Sequence, residues 1–302
     1  MKENTLFVEK YRPTTLETYI GSEFIKGMIQ KYLDQDDIQN FIFYGPAGSG
    51  KTTLAKIIVK SLNCDYLYIN ASDENGIDTI RDKVKGFASS ASWSGVKVVI
   101  LDEADFITIQ GQAALRNVIE TFSRSTRFIL TCNFIERLID PLQSRCQVLK
   151  IVPPSKVEIA NHLTWILADQ EDISYKPEDI KYIVNQCYPD LRKMLNMIQM
   201  SIKDDFLQID ATTLTSTTYV KAVLKELVTT KNWLNIRQII ADSNTKDFDE
   251  LYRSLFEHVS KYAPNKEGII IIILNEHIYQ ANFKIDKEIN IMSAIAKIIE
   301  VL

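Results

Sequence analysis

The chain has 302 residues, of which 46% are hydrophobic and 25% are charged, and its formal net charge is −4 at pH 7. This length allows two or three packed domains, and the ordinary globular composition excludes long disordered stretches. The small negative charge excludes a bulk basic field for nucleic acid, so any contact with DNA must come from a local arrangement of residues.

The sequence predicts neither a secretory signal nor a membrane span. Residues 1–10 lack a basic stretch followed by an apolar core. The longest apolar run, Ile269 to Leu274, has six residues, whereas a membrane span needs roughly 20. The four cysteines form no C-x-x-C pair, which argues against a zinc site and is typical of a reducing compartment. We therefore expect a soluble, cytoplasmic protein with no membrane partner.

Short apolar strands alternate with helical patterns between Phe41 and about Ile151. This alternation is typical of a parallel sheet that helices cover on both faces, so the predicted fold class is α/β. The predicted strands cover residues 41–44, 66–70, 96–101, 127–132 and 147–151.

The segment Gly45–Thr52 fills every fixed position of the phosphate-binding loop, or P-loop, and follows the first predicted strand. Its glycines let consecutive backbone N–H groups point at an anion, and the next helix adds the positive end of its dipole. We expect Lys51 to reach the β- and γ-phosphates of a nucleotide and Thr52 to offer its hydroxyl to Mg²⁺. Gly50 is expected to leave room for the phosphate. A chance glycine turn is the alternative.

Two acids, Asp102 and Glu103, end the apolar run of the third predicted strand. We expect Asp102 to hold the magnesium shell and Glu103 to polarise an attacking water, unless they are merely solvated acids. Asn133 follows the fourth strand, where its amide would orient that water or would simply lie in a turn. Arg145 precedes the last strand and, taken alone, is best interpreted as a surface arginine.

The strand patterns end at Val152, and Pro153-Pro154 interrupts the chain there. Ser155 and Glu158 then form a plausible capping box for a new helix, and further helices are predicted to open near Pro177 and Asp190. The threonine-rich stretch 211–218 is interpreted as a hinge. The predicted domains are a nucleotide-binding domain, a small helical domain and an all-helical domain, over residues 1–152, 153–208 and 218–302.

In order and spacing, these motifs resemble those of the AAA+ clamp loader subunits of the replication factor C small subunit type. The resemblance covers residues 8 to about 200 and, weakly, the remainder. Within this family, the stretch 87–95 is most similar to the version in T4-type bacteriophages. The motifs that carry the resemblance are Val8–Pro13, the P-loop, Asp102–Asp105, Asn133, Ser144–Cys146 and Pro189–Arg192.

The resemblance implies ATP and Mg²⁺ as cofactors and a role for each matching residue. Arg145 would act as an arginine finger in the ATP site of the neighbouring subunit, and Arg192 would contact the γ-phosphate of its own nucleotide. Catalysis would then depend on Lys51, Glu103, Asn133 and Arg145, with Thr52 and Asp102 at the metal. The implied nucleotide-binding residues are Val8, Tyr11, Arg12, Pro13, Ile20, Gly45, Pro46, Ala47, Gly48, Ser49, Gly50, Lys51, Thr52, Thr53 and Arg192.

The resemblance also implies that helix N-termini track the phosphates of DNA. The candidate residues are Arg81, Thr108, Gln110 and Gln112, although these could simply be exposed helix starts. One departure is Asn75, where relatives often have a basic residue that links DNA to the catalytic glutamate. Another is Ser22, where relatives commonly have glutamine.

The function implied by the resemblance is that of an ATPase subunit of a sliding-clamp loader. Such a subunit binds ATP, opens the ring-shaped clamp, grips primer–template DNA and hydrolyses ATP to release the closed clamp. Its expected partners are other copies of itself, a different and smaller loader subunit, the clamp and DNA. If the chain is phage-encoded, the cytoplasm is that of the host. The alternatives are an AAA+ remodeller of other DNA complexes and a non-hydrolysing scaffold subunit of a loader.

Overall fold

The computed structural model describes residues 6–91, 96–209, 211–243, 245, 248–281 and 286–302, and for residues 211–218 it describes the backbone alone. The contacts within the chain divide it into two compact units, Met1–Gln208 and Ile209–Leu302. The predicted boundary between residues 152 and 153 therefore lies inside the first unit. The second unit begins at Ile209 rather than at residue 218.

A five-stranded sheet forms the centre of the first unit, in the order β2-β3-β4-β1-β5. Every pairing in it is parallel, which confirms the predicted α/β fold class, and each strand lies within one residue of its predicted bounds. The carboxyl ends of β3, β4 and β1 are neighbours, so the segments that follow them meet at one edge. The strands are β1 Phe41–Tyr44, β2 Asp65–Asn70, β3 Lys97–Asp102, β4 Thr126–Cys132 and β5 Gln147–Lys150.

Helices of the first unit cover the sheet and continue into the predicted small helical domain. They are α1 Phe7–Lys10, α2 Glu23–Leu33, α3 Lys51–Leu62, α4 Lys85–Ser89, α5 Ile109–Thr121, α6 Asp140–Gln143, α7 Lys156–Trp165, α8 Pro177–Cys187 and α9 Leu191–Ser201. Short π-helical segments occupy Thr79–Val84 and Ile166–Gln170, and 3₁₀ turns occupy Ala104–Phe106 and Ile135–Arg137.

Two hydrophobic cores lie on the two faces of the sheet because successive strand side chains point in opposite directions. On one face, Val98 and Ile100 of β3 pack with buried residues of α2 and α3. On the other face, Val99 and Leu101 pack with buried residues of α5. Since β3 is buried on both sides, its sequence is apolar at each of these successive positions.

The start of α7 has the predicted capping box. The Ser155 hydroxyl accepts a hydrogen bond from the Glu158 backbone at 3.2 Å, and the Glu158 carboxylate accepts one from the Ser155 backbone at 2.8 Å. At the start of α9, Asp190 Oδ1 accepts a hydrogen bond from the Lys193 backbone at 3.2 Å. After α9, β6 Ile202–Lys203 and β7 Phe206–Leu207 form a short antiparallel ladder. This ladder corrects the expectation that strands end at Val152; its strands are too short to produce a sequence pattern.

The second unit is helical wherever it is described as regular structure. Its helices are α10 Ala211–Thr229, α11 Trp233–Asp242, α12 Asp249–Glu257, α13 Val259–Tyr262, α14 Glu267–Ala281 and α15 Lys287–Val301. The predicted hinge at 211–218 is wrong, because this stretch is the first part of α10. It contains neither glycine nor proline, and threonine only weakly disfavours a helix. Among the described residues, no helix combines the length and the apolar character that crossing a bilayer requires.

Candidate nucleotide-binding site

The predicted P-loop connects β1 to α3 at the carboxyl edge of the sheet. Gly48 and Gly50 have φ angles of +72° and +90°, which residues with a Cβ rarely adopt. A Cβ on Gly50 would lie 2.9 Å from the Cε2 atom of Tyr19. Glycine is therefore required at position 50 because the Tyr19 ring packs against the loop, a cause that the motif alone does not indicate.

The Lys51 side chain is 8% exposed and reaches across the mouth of the loop. Its Nζ atom donates hydrogen bonds to the carbonyl oxygens of Gly45 at 2.9 Å and Pro46 at 2.8 Å, and to Asn133 Oδ1 at 2.8 Å. Burial lowers the pKa of the Lys51 ammonium, and nearby acids such as Asp102 oppose that shift. The structure thus brings together Lys51 and Asn133, which the sequence places in two separate motifs.

The Asp102 carboxylate accepts hydrogen bonds from three hydroxyl groups. Its Oδ1 atom accepts hydrogen bonds from Thr52 Oγ1 at 2.7 Å and from Thr131 Oγ1, and its Oδ2 atom accepts one from the Tyr68 hydroxyl at 2.8 Å. Thr52 and Asp102, the predicted metal residues, are therefore in direct contact. Sequence motifs did not indicate Tyr68 or Thr131, although Thr131 lies in β4 only two residues before Asn133.

The oxygen atoms of Thr52 and Asp102 are the kind of ligand that Mg²⁺ prefers. In the described parts of the chain, no group of three or more His, Cys, Asp and Glu side chains could hold a metal ion. A cation at this position would therefore need further oxygen ligands from a phosphate and from water, which is usual for Mg²⁺ in nucleotide sites. The residues present fit that ion.

Glu103 follows Asp102 with a left-handed backbone, φ +56°, an uncommon conformation outside glycine that often marks a functional position. Its backbone N–H donates to Thr131 Oγ1 at 3.1 Å. Beside it, Asp105 Oδ2 accepts hydrogen bonds from the backbones of Asn133 and Phe134, each at 3.3 Å. Glu103 and Asn133 are thus held at one edge of the cleft by contacts between β3 and β4, and both face it.

A cleft of about 1030 Å³, including its open mouth, lies over this edge of the sheet. Its lining includes every predicted nucleotide-binding residue except Gly45 and Pro46, together with Asp102, Glu103 and Asn133. Residues that were not predicted to bind the nucleotide also line it: Tyr19, Thr131, Cys132, Pro154, Leu191 and Leu195. The motif residues from the N-terminal segment, the P-loop, β3, β4 and α9 therefore surround a single space.

The wall around Val8 to Pro13 is tied to the small helical domain. The Tyr11 hydroxyl donates a hydrogen bond to Glu171, and Lys10 forms an ion pair with the same carboxylate at 2.6 Å. The Phe7 backbone N–H donates to Gln199 Oε1 at 2.9 Å. These contacts hold the N-terminal segment against α9, which carries Arg192 at the cleft.

Comparison with known proteins places the chain in a family. A model of the AAA family, ATPases associated with various cellular activities, matches residues 41–154. The replication factor C small subunit of Staphylothermus marinus is 33% identical over 296 residues, which are 96% of this chain and 86% of that relative. The chain belongs to the replication factor C small subunit family. The family member from Haloarcula marismortui is 41% identical over 201 residues, which are 64% of this chain and 61% of that relative.

The family member from Halobacterium salinarum is 42% identical. The chain spans about three fifths of the length of these two relatives, 61% of the Haloarcula protein and 62% of the Halobacterium protein. Among solved structures, the chain is similar to the RuvB Holliday junction branch migration motor of Thermotoga maritima. The TM-score is 0.57 at 17% identity, over 86% of this chain and 91% of that one. At this identity the likeness shows a shared fold only.

In this family member, the P-loop packs directly on the cap of α9. A Cβ on Gly48 would lie 2.2 Å from Asp190 Oδ1 and 2.8 Å from Asp190 Cα. We expect Gly48→Ala to destabilise the first unit by about 1–3 kcal/mol, because it adds this clash to an unfavourable φ. Thermal and urea unfolding would measure the loss.

The matched control is Gly27→Ala in α2, where an added Cβ meets nothing within 4 Å. This change should leave stability unchanged or raise it by up to about 1 kcal/mol, since alanine favours helix over glycine. Equal stability of the Gly48 and Gly27 variants would contradict the close packing of the P-loop on Asp190.

Arg145 is the predicted catalytic residue that does not line the cleft. Its guanidinium pairs with the Glu120 carboxylate of α5 and donates to the Pro141 carbonyl oxygen at 2.6 Å. The side chain is 32% exposed. Within one chain, therefore, Arg145 is not brought to the nucleotide site.

Three of the four predicted DNA-contacting residues, Arg81, Thr108 and Gln110, are exposed. Thr108 is the cap of α5, and its hydroxyl accepts a hydrogen bond from the Gly111 backbone at 3.2 Å. Its own backbone N–H donates to the Asn75 carbonyl oxygen at 3.2 Å. Asn75, one of the two positions discussed above, is thus joined to the start of α5 through the backbone.

The prediction that Gln112 contacts DNA is corrected by the structure. Gln112 is 1% exposed. Its amide nitrogen donates to the carbonyl oxygens of Ile107 and Arg137, each at 3.0 Å, and its amide oxygen accepts from the Ile139 backbone at 2.8 Å. A side chain whose amide is engaged in this way within the fold is not available to a phosphate; helical spacing did not reveal its burial.

Proposed function

We propose that this chain is an ATPase subunit of a loader of DNA polymerase sliding clamps. The observation that carries the proposal is the convergence of Lys51, Thr52, Asp102, Glu103 and Asn133 on one cleft. Membership of the replication factor C small subunit family supports the same activity. The N-terminal segment and α9 supply the remaining walls of a site for ATP.

The chemistry that we propose follows from the position of each group. Lys51 would bind the β- and γ-phosphates, and Arg192 would contact the γ-phosphate from α9. Glu103 would accept a proton from the attacking water while Asn133 orients it. Thr52 and Asp102 would hold Mg²⁺, which neutralises charge on the phosphates when it is bound.

We further propose that hydrolysis needs a second subunit, whose Arg145 would act as the arginine finger. The location of Arg145 outside the cleft of its own chain supports this role, because a guanidinium at the transferring phosphoryl group is then missing from a single subunit. An isolated chain should therefore bind ATP and hydrolyse it slowly.

The proposed assembly contains several copies of this chain and a different, smaller loader subunit. The residues of the predicted helical domain at 153–208 would act as a lid over the nucleotide, and the second unit would act as a collar that joins subunits. The assembly would open a ring-shaped clamp in the cytoplasm and hold primer–template DNA. Arg81, Thr108 and Gln110 would contact the phosphates of that DNA, which a chain of negative net charge can do through helix N-termini and a few cations per subunit.

A closer similarity to the loaders of T4-type bacteriophages remains a prediction from the stretch 87–95. Its residues 92–95 lie outside the described part of the chain. If the prediction holds, the cytoplasm concerned is that of the infected host.

The test is ATP turnover by the assembled subunits, measured with and without the clamp and with and without primed DNA. We expect the clamp and DNA together to stimulate turnover more than either does alone. Stimulation by DNA that ignores the clamp would instead favour a remodeller of DNA complexes. ATP binding without turnover under every condition would favour a scaffold subunit; both results would overturn the proposed function.

A further inference from the structure

Tyr68 lies on β2, the edge strand next to the one that ends in Asp102. In the parallel register of β2 and β3, Tyr68 is opposite Ile100, and Asp102 is two residues further along the same side of β3. The long tyrosine side chain spans this diagonal, and its hydroxyl donates to Asp102 Oδ2 at 2.8 Å. None of the sequence motifs of the site contains this residue.

The two carboxylate oxygens of Asp102 accept hydrogen bonds from different donors. Oδ1 accepts from Thr52 and Thr131, whereas Oδ2 accepts from Tyr68. Asp102 is 8% exposed, so water has little access to replace a missing donor. Three hydroxyls from three separate elements therefore fix the plane of this carboxylate, and Tyr68 fixes its second oxygen.

The surroundings of Tyr68 keep its ring in place. Lys56 Nζ of α3 lies over the ring, 4.8 Å from its centroid, a favourable cation–π arrangement. A tyrosine phenol is protonated at neutral pH, so the Tyr68 hydroxyl is the donor in its hydrogen bond with Asp102.

We propose that Tyr68 is a positioning residue for the metal shell of the bound nucleotide. By holding Oδ2, it would direct the remaining lone pairs of Asp102 towards the shell of Mg²⁺, as groups behind a metal site commonly do. This inference rests on the proposed nucleotide site but adds a residue to it. Without the hydroxyl, Oδ2 would be free to turn or to take another donor, and the affinity for Mg²⁺ would fall.

The test compares Tyr68→Phe with Tyr66→Phe in the full chain. Tyr66 precedes Tyr68 by two residues on the same side of β2 and is 54% exposed, so its variant removes the same hydroxyl without touching Asp102. Binding of a fluorescent ATP analogue is titrated against Mg²⁺, with parallel titrations in excess EDTA. Binding of Mn²⁺ in the presence of ADP, followed by its electron paramagnetic resonance signal, gives a second readout that does not depend on hydrolysis.

We expect Tyr68→Phe to raise the Mg²⁺ concentration at half-saturation by about 10-fold, the low end of the range for residues behind a metal ligand. Nucleotide binding in EDTA and the melting temperature should match those of Tyr66→Phe, and high Mg²⁺ should restore the wild-type affinity. The role of Tyr68 would be overturned if the two variants depended equally on Mg²⁺. It would also be overturned if Tyr68→Phe lost as much nucleotide affinity in EDTA as in Mg²⁺. If the wild-type chain binds no nucleotide at any Mg²⁺ concentration, the proposed function itself fails.

Discussion

Replacing Lys51 by alanine is expected to abolish nucleotide binding. The change removes the ammonium that reaches the phosphates and also leaves three oxygen partners, among them Asn133 Oδ1, without their donor. Removing one partner of a buried charged contact costs about 2–5 kcal/mol, which corresponds to a loss of affinity of roughly 30-fold to 4000-fold. Isothermal titration calorimetry with ATP and Mg²⁺ would measure this loss.

Lys60→Ala provides the matched control, because Lys60 is an exposed lysine in the last turn of the same helix. It should bind ATP with the affinity of the wild-type chain. Both variants should retain their far-ultraviolet circular dichroism, so that lost binding is separated from lost folding. Normal ATP affinity in Lys51→Ala would overturn the assignment of the P-loop.

Replacing Arg145 by alanine should leave ATP binding intact and remove hydrolysis by the assembled complex. Arg145 does not line the cleft of its own chain, so binding by one subunit does not depend on it. An arginine supplied from a neighbour contributes roughly 10³- to 10⁵-fold to phosphoryl transfer, and turnover should fall by a comparable factor. The measurement is steady-state phosphate release by the complex with clamp and primed DNA.

An exposed arginine in the turn after α5, Arg124, supplies the control for this experiment. Arg124→Ala should assemble and turn over ATP as the wild type does. Assembly of both variants must be checked by their mass in solution, because Arg145 also pairs with Glu120. Unchanged turnover in a fully assembled Arg145→Ala complex would remove its proposed role.

The sheet and the cleft could be predicted because their signals are local. A buried parallel strand such as β3 is continuously apolar, and the acids that end it must lie at the carboxyl edge with the P-loop. The order β3-β4-β1 brings Asp102 and Asn133 beside Lys51, and most of the expected nucleotide-binding residues do line one cleft.

The rest depends on contacts between residues far apart in sequence, which spacing does not encode. Tyr68 and Thr131 are ordinary strand residues until β2 and β4 pair with β3 and bring both hydroxyls to Asp102. Gln112 has the position of an exposed helix start, yet its amide joins segments around Ile107 and Ile139. The stretch 211–218 has a composition that weakly disfavours a helix, and composition alone did not reveal that α10 includes it.

The hydrogen bonds between the N-terminal segment and the small helical domain have a consequence for folding during translation. Phe7 is synthesised 192 residues before its partner Gln199, and Tyr11 is synthesised 160 residues before its partner Glu171. Contacts at such separations form only after a long loop has closed. During translation, the five strands can therefore pair before the N-terminal segment has its partners. The wall of the cleft beside the P-loop is complete only when α9 has emerged from the ribosome.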